Sequence, residues 1–429
     1  MQLPTSQVEL VNQLAMRLKK MGIIHLEMDE QTMPNRRIVQ VNGKELLNFS
    51  SCNYVGLETD GRLKEAAKEA IDRYGVQYYC VRAYMSLHPY QELEYSLDQI
   101  FGHPTVVMPT TMLGHLSVLP VLVTNKDAVI LDHQVHTSVQ MTTKILKANG
   151  THIEMVRHNR MDYLENRIKK LSEQYNKVWY MADGVYSMYG NVAPLEDLHQ
   201  LLQKYEQFHL YIDDSHGMSW TGKHGAGVVA EGMPFFHPHM VLITSLGKAF
   251  GASGGVGIFY DETYKNLVRN TGSPLIFTGP LQPATLGAAV ASARIHLSDE
   301  IYGLQANLKS KIQFFSDKAD ELGLPIVSKD GTPIFFLGAG KPEVGMKLVQ
   351  RLMAEGLFSC LAIYPSVPYN NTGIRFLLTV NHTEEDIAWM LEKVAEILPE
   401  VLEEEDFSRE QIDKAFNLQP EPGRVMLVD

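Results

Sequence analysis

The sequence predicts an α/β fold: a mainly parallel sheet sandwiched by helices, followed by a smaller α+β domain. Three observations predict it. Short apolar runs at 105–108, 128–131, 152–155, 178–181, 210–212 and 240–243 alternate with helical stretches, as in a chain of strand–helix–strand units. Several of these runs end in polar or glycine-rich turns, where open α/β sheets place their ligands. Beyond about 285 the alternation stops, and a long amphipathic stretch leads to two further strand-like runs, 334–337 and 374–378.

In chain order, residues 5–30 carry helical periodicity through Val8, Leu10, Val11, Leu14, Leu18 and Met21. Arg37 to Val41 and Glu45 to Phe49 form a hairpin about Asn42-Gly43, a dipeptide suited to the positive φ of a tight turn. The predicted organisation is an N-terminal helix and hairpin (1–56), a large domain (57–285), a long helix around 283–315 opening a small domain (286–398), and an acidic extension (399–429). The extension reads most simply as a solvated helix with a loose tail, and otherwise as a lid or dimer arm.

Composition narrows the function. A chain of 429 residues, 45% hydrophobic, holds two or three domains with ample core. A net charge of −12 argues against a nucleic-acid partner or an anionic membrane surface. The three cysteines, Cys52, Cys80 and Cys360, have no paired spacing, so neither a disulfide framework nor a zinc site is expected. His133, His136, His209, His216, His237 and His239 show no metal-ligand pattern. No apolar run is long enough to span a bilayer and the start lacks a secretory pattern, so a cytoplasmic enzyme is expected.

Lys248 is the most informative residue. It follows the apolar run Met240-Val241-Leu242-Ile243 and precedes Ala249-Phe250-Gly251-Ala252-Ser253-Gly254-Gly255, whose small residues let a planar ligand lie against the backbone. Burial disfavours an ammonium, and the resulting amine condenses with a carbonyl such as the aldehyde of pyridoxal phosphate. The plain alternative is a surface lysine in a glycine-rich turn. Two upstream strand ends weigh against it: Tyr211-Ile212-Asp213-Asp214-Ser215-His216, and Met181-Ala182-Asp183-Gly184-Val185-Tyr186-Ser187. An aspartate such as Asp213 holds a pyridinium nitrogen protonated and makes the ring an electron sink. Taken singly, each aspartate is equally at home capping a turn.

With these segments in place, the chain resembles the α-oxoamine synthases, a family of fold-type I pyridoxal-phosphate enzymes. The likeness runs from Asn48-Phe49-Ser50-Ser51-Cys52-Asn53-Tyr54-Val55-Gly56-Leu57 to Gly373-Ile374-Arg375 and His382-Thr383-Glu384-Glu385-Asp386. It implies Lys248 as the Schiff-base lysine, Asp213 as partner of the ring nitrogen, with Asp183 beside it, and His216 and Ser187 as contacts to the phenolic oxygen. It implies further that His136 stacks on the ring and that Ser245 and the Thr110-Thr111-Met112 loop bind the phosphate. Thr278 is implied to reach the neighbouring subunit's phosphate in a homodimer with shared active sites. Arg375, planar and bidentate, would grip the amino-acid carboxylate, assisted at the Cys52-Asn53 position.

The chain also departs from the family pattern. Cys52 stands where an Asn is usual, and a thiol is a poor donor. The phosphate loop, commonly Ser-Gly-Phe followed by small residues and Asn, reads Thr110-Thr111-Met112-Leu113-Gly114-His115. The family's Ser-Met-Asp-Gly-Asp is Ser187-Met188-Tyr189-Gly190-Asn191, and the glycine-rich entrance segment carries Tyr78, Tyr79 and Tyr84. The resemblance implies a pyridoxal-phosphate-dependent C-acyltransferase. It would condense an amino acid with an acyl thioester of coenzyme A or an acyl carrier protein, with decarboxylation, to an aminoketone. The alternatives are another reaction of the same fold, as in an aminotransferase or lyase, or a non-catalytic partner subunit.

Overall fold

The computed structural model describes residues 6–31, 35–78 and 81–418. Tyr79, Cys80 and the last stretch of the acidic extension, 419–429, lie outside the described residues. The chain folds as two compact units, one of Cys52–Ser187 with Asn191–Lys309, the other of the chain up to Ser51, Met188–Gly190 and the chain from Ser310.

The N-terminal helix spans Ser6–Lys20, shorter than the 5–30 periodicity suggests. Gly22, at φ 69°, ends it, because continuing apolar spacing does not carry a helix through a left-handed residue. Strands β1 (Ile38–Val41) and β2 (Lys44–Asn48) form the expected hairpin, with Asn42 at φ 52° and Gly43 at φ 74° in its turn.

The larger unit is built on strands β3 (Thr105–Met108), β4 (Ala128–Asp132), β5 (His152–Val156), β6 (Val178–Asp183), β7 (Phe208–Asp213), β8 (Met240–Ser245) and β9 (Gly255–Phe259). Their order is β3-β9-β8-β7-β6-β4-β5, parallel throughout except for β9, which is antiparallel to both β3 and β8. Every residue of β4, β6, β7 and β8 is buried, which explains why these strands read as unbroken apolar runs and not as alternating ones. Successive residues feed two cores: Tyr180, Ala182, Leu210 and Ile212 point to one face, Trp179, Met181 and Tyr211 to the other. The helix Thr111–Leu122 closes that second face with Val118, Leu119 and Leu122. Strand β9 escaped the sequence reading because its glycines resemble a loop.

The single helix expected around 283–315 is two, Pro283–His296 and Glu300–Glu321. Ser298 interrupts them by donating its hydroxyl to Ile295 O at 2.7 Å, the local competition that makes serine favour helix ends. Pro283–His296 is also buried along most of its length rather than amphipathic.

In the smaller unit, β10 (Ile334–Gly340), β12 (Cys360–Ala362) and β13 (Thr372–Leu377) form an antiparallel sheet in the order β10-β13-β12, and β11 (Leu357–Phe358) runs parallel to β2. The landmark at 382–386 is a helix start: Thr383 and Asp386 form a capping box for Glu384–Glu404, and Arg37 Nε donates to Asp386 at 2.6 Å. His382 stacks on Phe49 at 4.2 Å between ring centroids. The extension is not merely solvated. Val401 and Ile412 are fully buried, and the helix Arg409–Phe416 sets Phe416 beside Phe336 and Tyr189. Among the described residues no helix is long and apolar enough to cross a membrane.

Candidate active site

Four adjacent parallel strands bring their carboxyl ends to one edge of the larger unit's sheet, and Asp183, Asp213 and Lys248 lie at or just beyond those ends. Asp183 ends β6 directly opposite Asp213, which ends β7. Lys248 follows three residues after β8 and is half-buried, less enclosed than its sequence context suggested, and its charge is felt by Asp213, Asp183 and Asp214.

The two facing carboxyls are driven to opposite states. Burial pushes Asp213 up, but His115 first, then Lys248 and the Ser215 hydroxyl, outweigh it and hold the group below the usual carboxylate range. Asp213 Oδ1 accepts from Ser215 N at 2.9 Å and from Ser215 Oγ at 2.5 Å. Asp183 feels the charge of Lys248 as well, but less than it feels burial and Asp213. Burial, then the charge of Asp213, raise it well above the ordinary value, against a 3.1 Å hydrogen bond from His136 N. The edge therefore presents one anion and one neutral acid.

His136 caps the helix Thr137–Ala148, with Nδ1 held 2.7 Å from Ser138 Oγ and the ring exposed. His216 is buried, with Nδ1 2.8 Å from Tyr54 OH. Ser187 is half-buried just beyond β6. The phosphate loop opens the helix Thr111–Leu122: Thr110 caps it by accepting from Leu113 N at 3.1 Å, Thr111 is half-buried and Met112 exposed. Ser245 lies beside this opening, because it pairs in register with Gly255, and a Cβ on Gly255 would come within 2.7 Å of Thr111 N. The bare backbone of β9 thus lets a helix N-terminus, with its free N–H groups, sit against the Ser245 strand end.

Other predicted residues are placed differently. Thr278 donates its hydroxyl to Pro274 O at 2.7 Å in its own turn. Cys52 is a free, half-buried thiol, and Asn53 O accepts from Gly56 N at 2.8 Å in the turn that presents Tyr54. Arg375 stands in the other unit, on the central strand β13, paired with Phe336 on one side and Cys360 on the other. The two lost acids have become packing residues. Tyr189 packs against Phe336 within the smaller unit, the tilted rings 4.7 Å apart, and Asn191 Nδ2 lies 2.6 Å from His158 Nε2 in the larger. Of the entrance tyrosines, Tyr78 packs against the core and Tyr84 is exposed.

Sequence reasoning missed three residues. Tyr54, within a segment quoted only as a landmark, positions His216. His115, fully buried, contacts both Tyr211 and Asp213; its signal was a histidine one turn into the helix that follows the phosphate loop. Asp214, passed over beside Asp213, is pushed up to about 8, by burial first, with the charge of Asp213 adding to it. Its Oδ2 accepts from Val229 N at 3.0 Å, and a Cβ on Gly217 would approach Oδ1 to 2.0 Å. The start of the glycine-rich run after β7 is shaped around this carboxyl.

The donor set suits pyridoxal phosphate: an amine for the aldehyde, an anionic Asp213 for a protonated ring nitrogen, and Ser245 with a helix N-terminus for the phosphate. The family model for class I and II aminotransferases matches residues 44–394. The chain is 31% identical to 8-amino-7-oxononanoate synthase of Symbiobacterium thermophilum over 89% of this chain and 95% of that one. It is 31% identical to the enzyme of the same name from Fervidobacterium nodosum, over 85% and 91%. Its fold matches that of Sphingomonas wittichii serine palmitoyltransferase with a TM-score of 0.82 at 22% identity, covering 92% of this chain and 97% of that one.

Proposed function

Because the chain belongs to the class I and II aminotransferase family and, within it, to the α-oxoamine synthases, we propose that it condenses an amino acid with an acyl thioester, releasing the thiol and CO2 to leave an aminoketone. The observation that carries this reading is geometric: the register of β6 and β7 sets Asp183 opposite Asp213 at adjacent strand ends, and Lys248 follows the end of the neighbouring strand β8.

Bound pyridoxal phosphate supplies an electron sink that acidifies Cα of the amino acid. Asp213, kept ionised in a buried place, stabilises positive charge on the ring nitrogen and so sustains that sink. Lys248 is the base that takes the Cα proton; the new C–C bond to the acyl carbon then forms as the C–S bond breaks and the thiol departs. Loss of the carboxylate as CO2 leaves Cα to be reprotonated, a step for which the ammonium of Lys248 is at hand. His136 would bound the ring's position by stacking, and His216, whose Nδ1 lies 2.8 Å from Tyr54 OH, would donate to the phenolic oxygen together with Ser187. Ser245, Thr111 and the backbone at Met112 would hold the phosphate. The family resemblance assigns the substrate carboxylate to Arg375, and at the Cys52-Asn53 position, where the family's first Asn would assist, Cys52 offers only a weak donor. Thr278 would serve the site of a second copy, in a homodimer acting in the cytoplasm.

The test is the visible absorption of the protein reconstituted with pyridoxal phosphate and titrated with glycine, alanine, serine and threonine, followed by assay of thiol and CO2 release with acyl thioesters. A long-wavelength band that responds to one amino acid, with stoichiometric CO2, is the expected result. In Lys248→Ala the band disappears and turnover falls by about a hundredfold or more, the range for losing a general base. An oxo acid formed without CO2 would assign the chain to transamination instead.

A further inference from the structure

Asp213 does not keep its charge unaided. Tyr211 and Asp213 are two residues apart on β7 and therefore share a face of the sheet, the face covered by the helix Thr111–Leu122. From one turn into that helix, His115 reaches both. Its Nδ1 lies 2.7 Å from Tyr211 OH and its Nε2 lies 3.2 Å from Asp213 Oδ2. All three side chains are buried, and His115 and Tyr211 are wholly closed to solvent. Burial first, and then the charge of Asp213, raise the phenol of Tyr211 well above its ordinary value, so it keeps its proton within the hydrogen bond it shares with Nδ1. Nε2 faces the carboxylate at an ion-pair distance, without the alignment of a full hydrogen bond. The other titratable groups around Asp213 are Asp183 on β6, Asp214 next in the chain, Lys248 beyond β8, and His136. Of these Asp183 and Asp214 oppose the charge of Asp213, and Ser215 binds only the opposite oxygen, Oδ1.

We propose that His115 is a positioning residue: backed by Tyr211, it holds Oδ2 of Asp213 and sets the charge that Asp213 presents to the cofactor's ring nitrogen. The Tyr211–His115–Asp213 line makes the helix that follows the phosphate loop a support for the ring as well. One helix thus couples the two ends of the cofactor, its N-terminus at the phosphate and its first turn at the ring nitrogen. This inference rests on the reading of Asp213 given above.

The test uses the full chain, prepared free of cofactor and titrated with pyridoxal phosphate. Two readouts other than turnover are followed, the dissociation constant and the pH midpoint of the visible band. His115→Phe keeps the ring volume but loses both polar contacts. It is expected to weaken binding by about ten- to a hundredfold, the range for leaving a buried charged acceptor short of a partner, and to move the band's midpoint. Tyr211→Phe, which leaves the imidazole in place, is expected to move the same midpoint by less. Combining His115→Phe with Asp213→Asn should add little to Asp213→Asn alone, since both act through one carboxylate. Should His115→Phe not fold, as judged by far-UV circular dichroism, His115→Asn and Tyr211→Phe are measured in its place. Wild-type affinity and midpoint in the folded His115 variant, with Asp213→Asn impaired, overturn the proposal and leave the role of Asp213 standing. Wild-type values in Asp213→Asn itself overturn both.

Discussion

Asp213 and Asp214 are neighbours in the chain, buried to nearly the same degree, yet they differ in state because they differ in partners. Asp213 has the His115 imidazole, a hydroxyl and the nearby Lys248 charge. Asp214 has backbone N–H groups and a wall of glycines, with Oδ1 left without a hydrogen bond. For Asp214 the folded value of about 8 lies above the unfolded value, which is about 3.9. Its contribution to stability is therefore fully present below the unfolded value and is lost as the pH rises toward the folded one. Asp214→Asn removes that dependence. Urea unfolding should show the variant gaining on the wild type by about 1 kcal/mol or more as pH is raised from roughly 5 to 8, since each pKa unit is worth about 1.4 kcal/mol. A difference that stays flat over this range would mean that the folded carboxyl is ionised throughout. Sequence alone did not separate the two aspartates, because protonation depends on what surrounds a group after folding.

At the scale of elements, the site is assembled by strand ends and one helix start. The strand ends were legible in the sequence, since unbroken apolar runs followed by polar residues carry both the strand and its end. The contribution of β9 was not. Gly255 pairs with Ser245 and with Met108, and its missing side chain is where the backbone of Thr111 lies. A methyl group there must displace the opening of the helix Thr111–Leu122, and with it the N–H groups assigned to the phosphate. Gly255→Ala should lower stability by about 1–3 kcal/mol in denaturant titration, as overpacking does, and weaken pyridoxal-phosphate binding beyond what the stability loss explains. Unchanged affinity in a folded Gly255→Ala protein would separate the helix opening from the phosphate. The same scale explains the helix at 283–321: periodicity continued through 297–299, but a serine hydroxyl taking a backbone carbonyl divided it.

For the whole molecule, the larger unit leaves big apolar side chains open to water, among them Val76, Tyr84 and Phe277, exposed by 76%, 82% and 78%. Phe277 adjoins Thr278, the hydroxyl assigned to a second copy's site. An exposed aromatic of that kind suits a covered interface better than a solvent face. Phe277→Asp is expected to run as a monomer in light scattering, to lose turnover, and to keep an unfolding midpoint close to that of any wild-type monomer obtained by dilution. A dimer of undiminished activity would remove this face from the interface. The sequence by itself determined the fold class, the hairpin, the strand ends bearing Asp183, Asp213 and Lys248, and the family, because strand burial and short motifs are written in consecutive residues. Only the tertiary structure decided which aspartate has the stabilising partners, that His115 contacts Asp213 and Tyr54 contacts His216, that Tyr189 packs on Phe336, and that residues 399–418 are partly buried. Each of these depends on contact between residues far apart in the chain, and hydrophobic periodicity carries no record of such pairs.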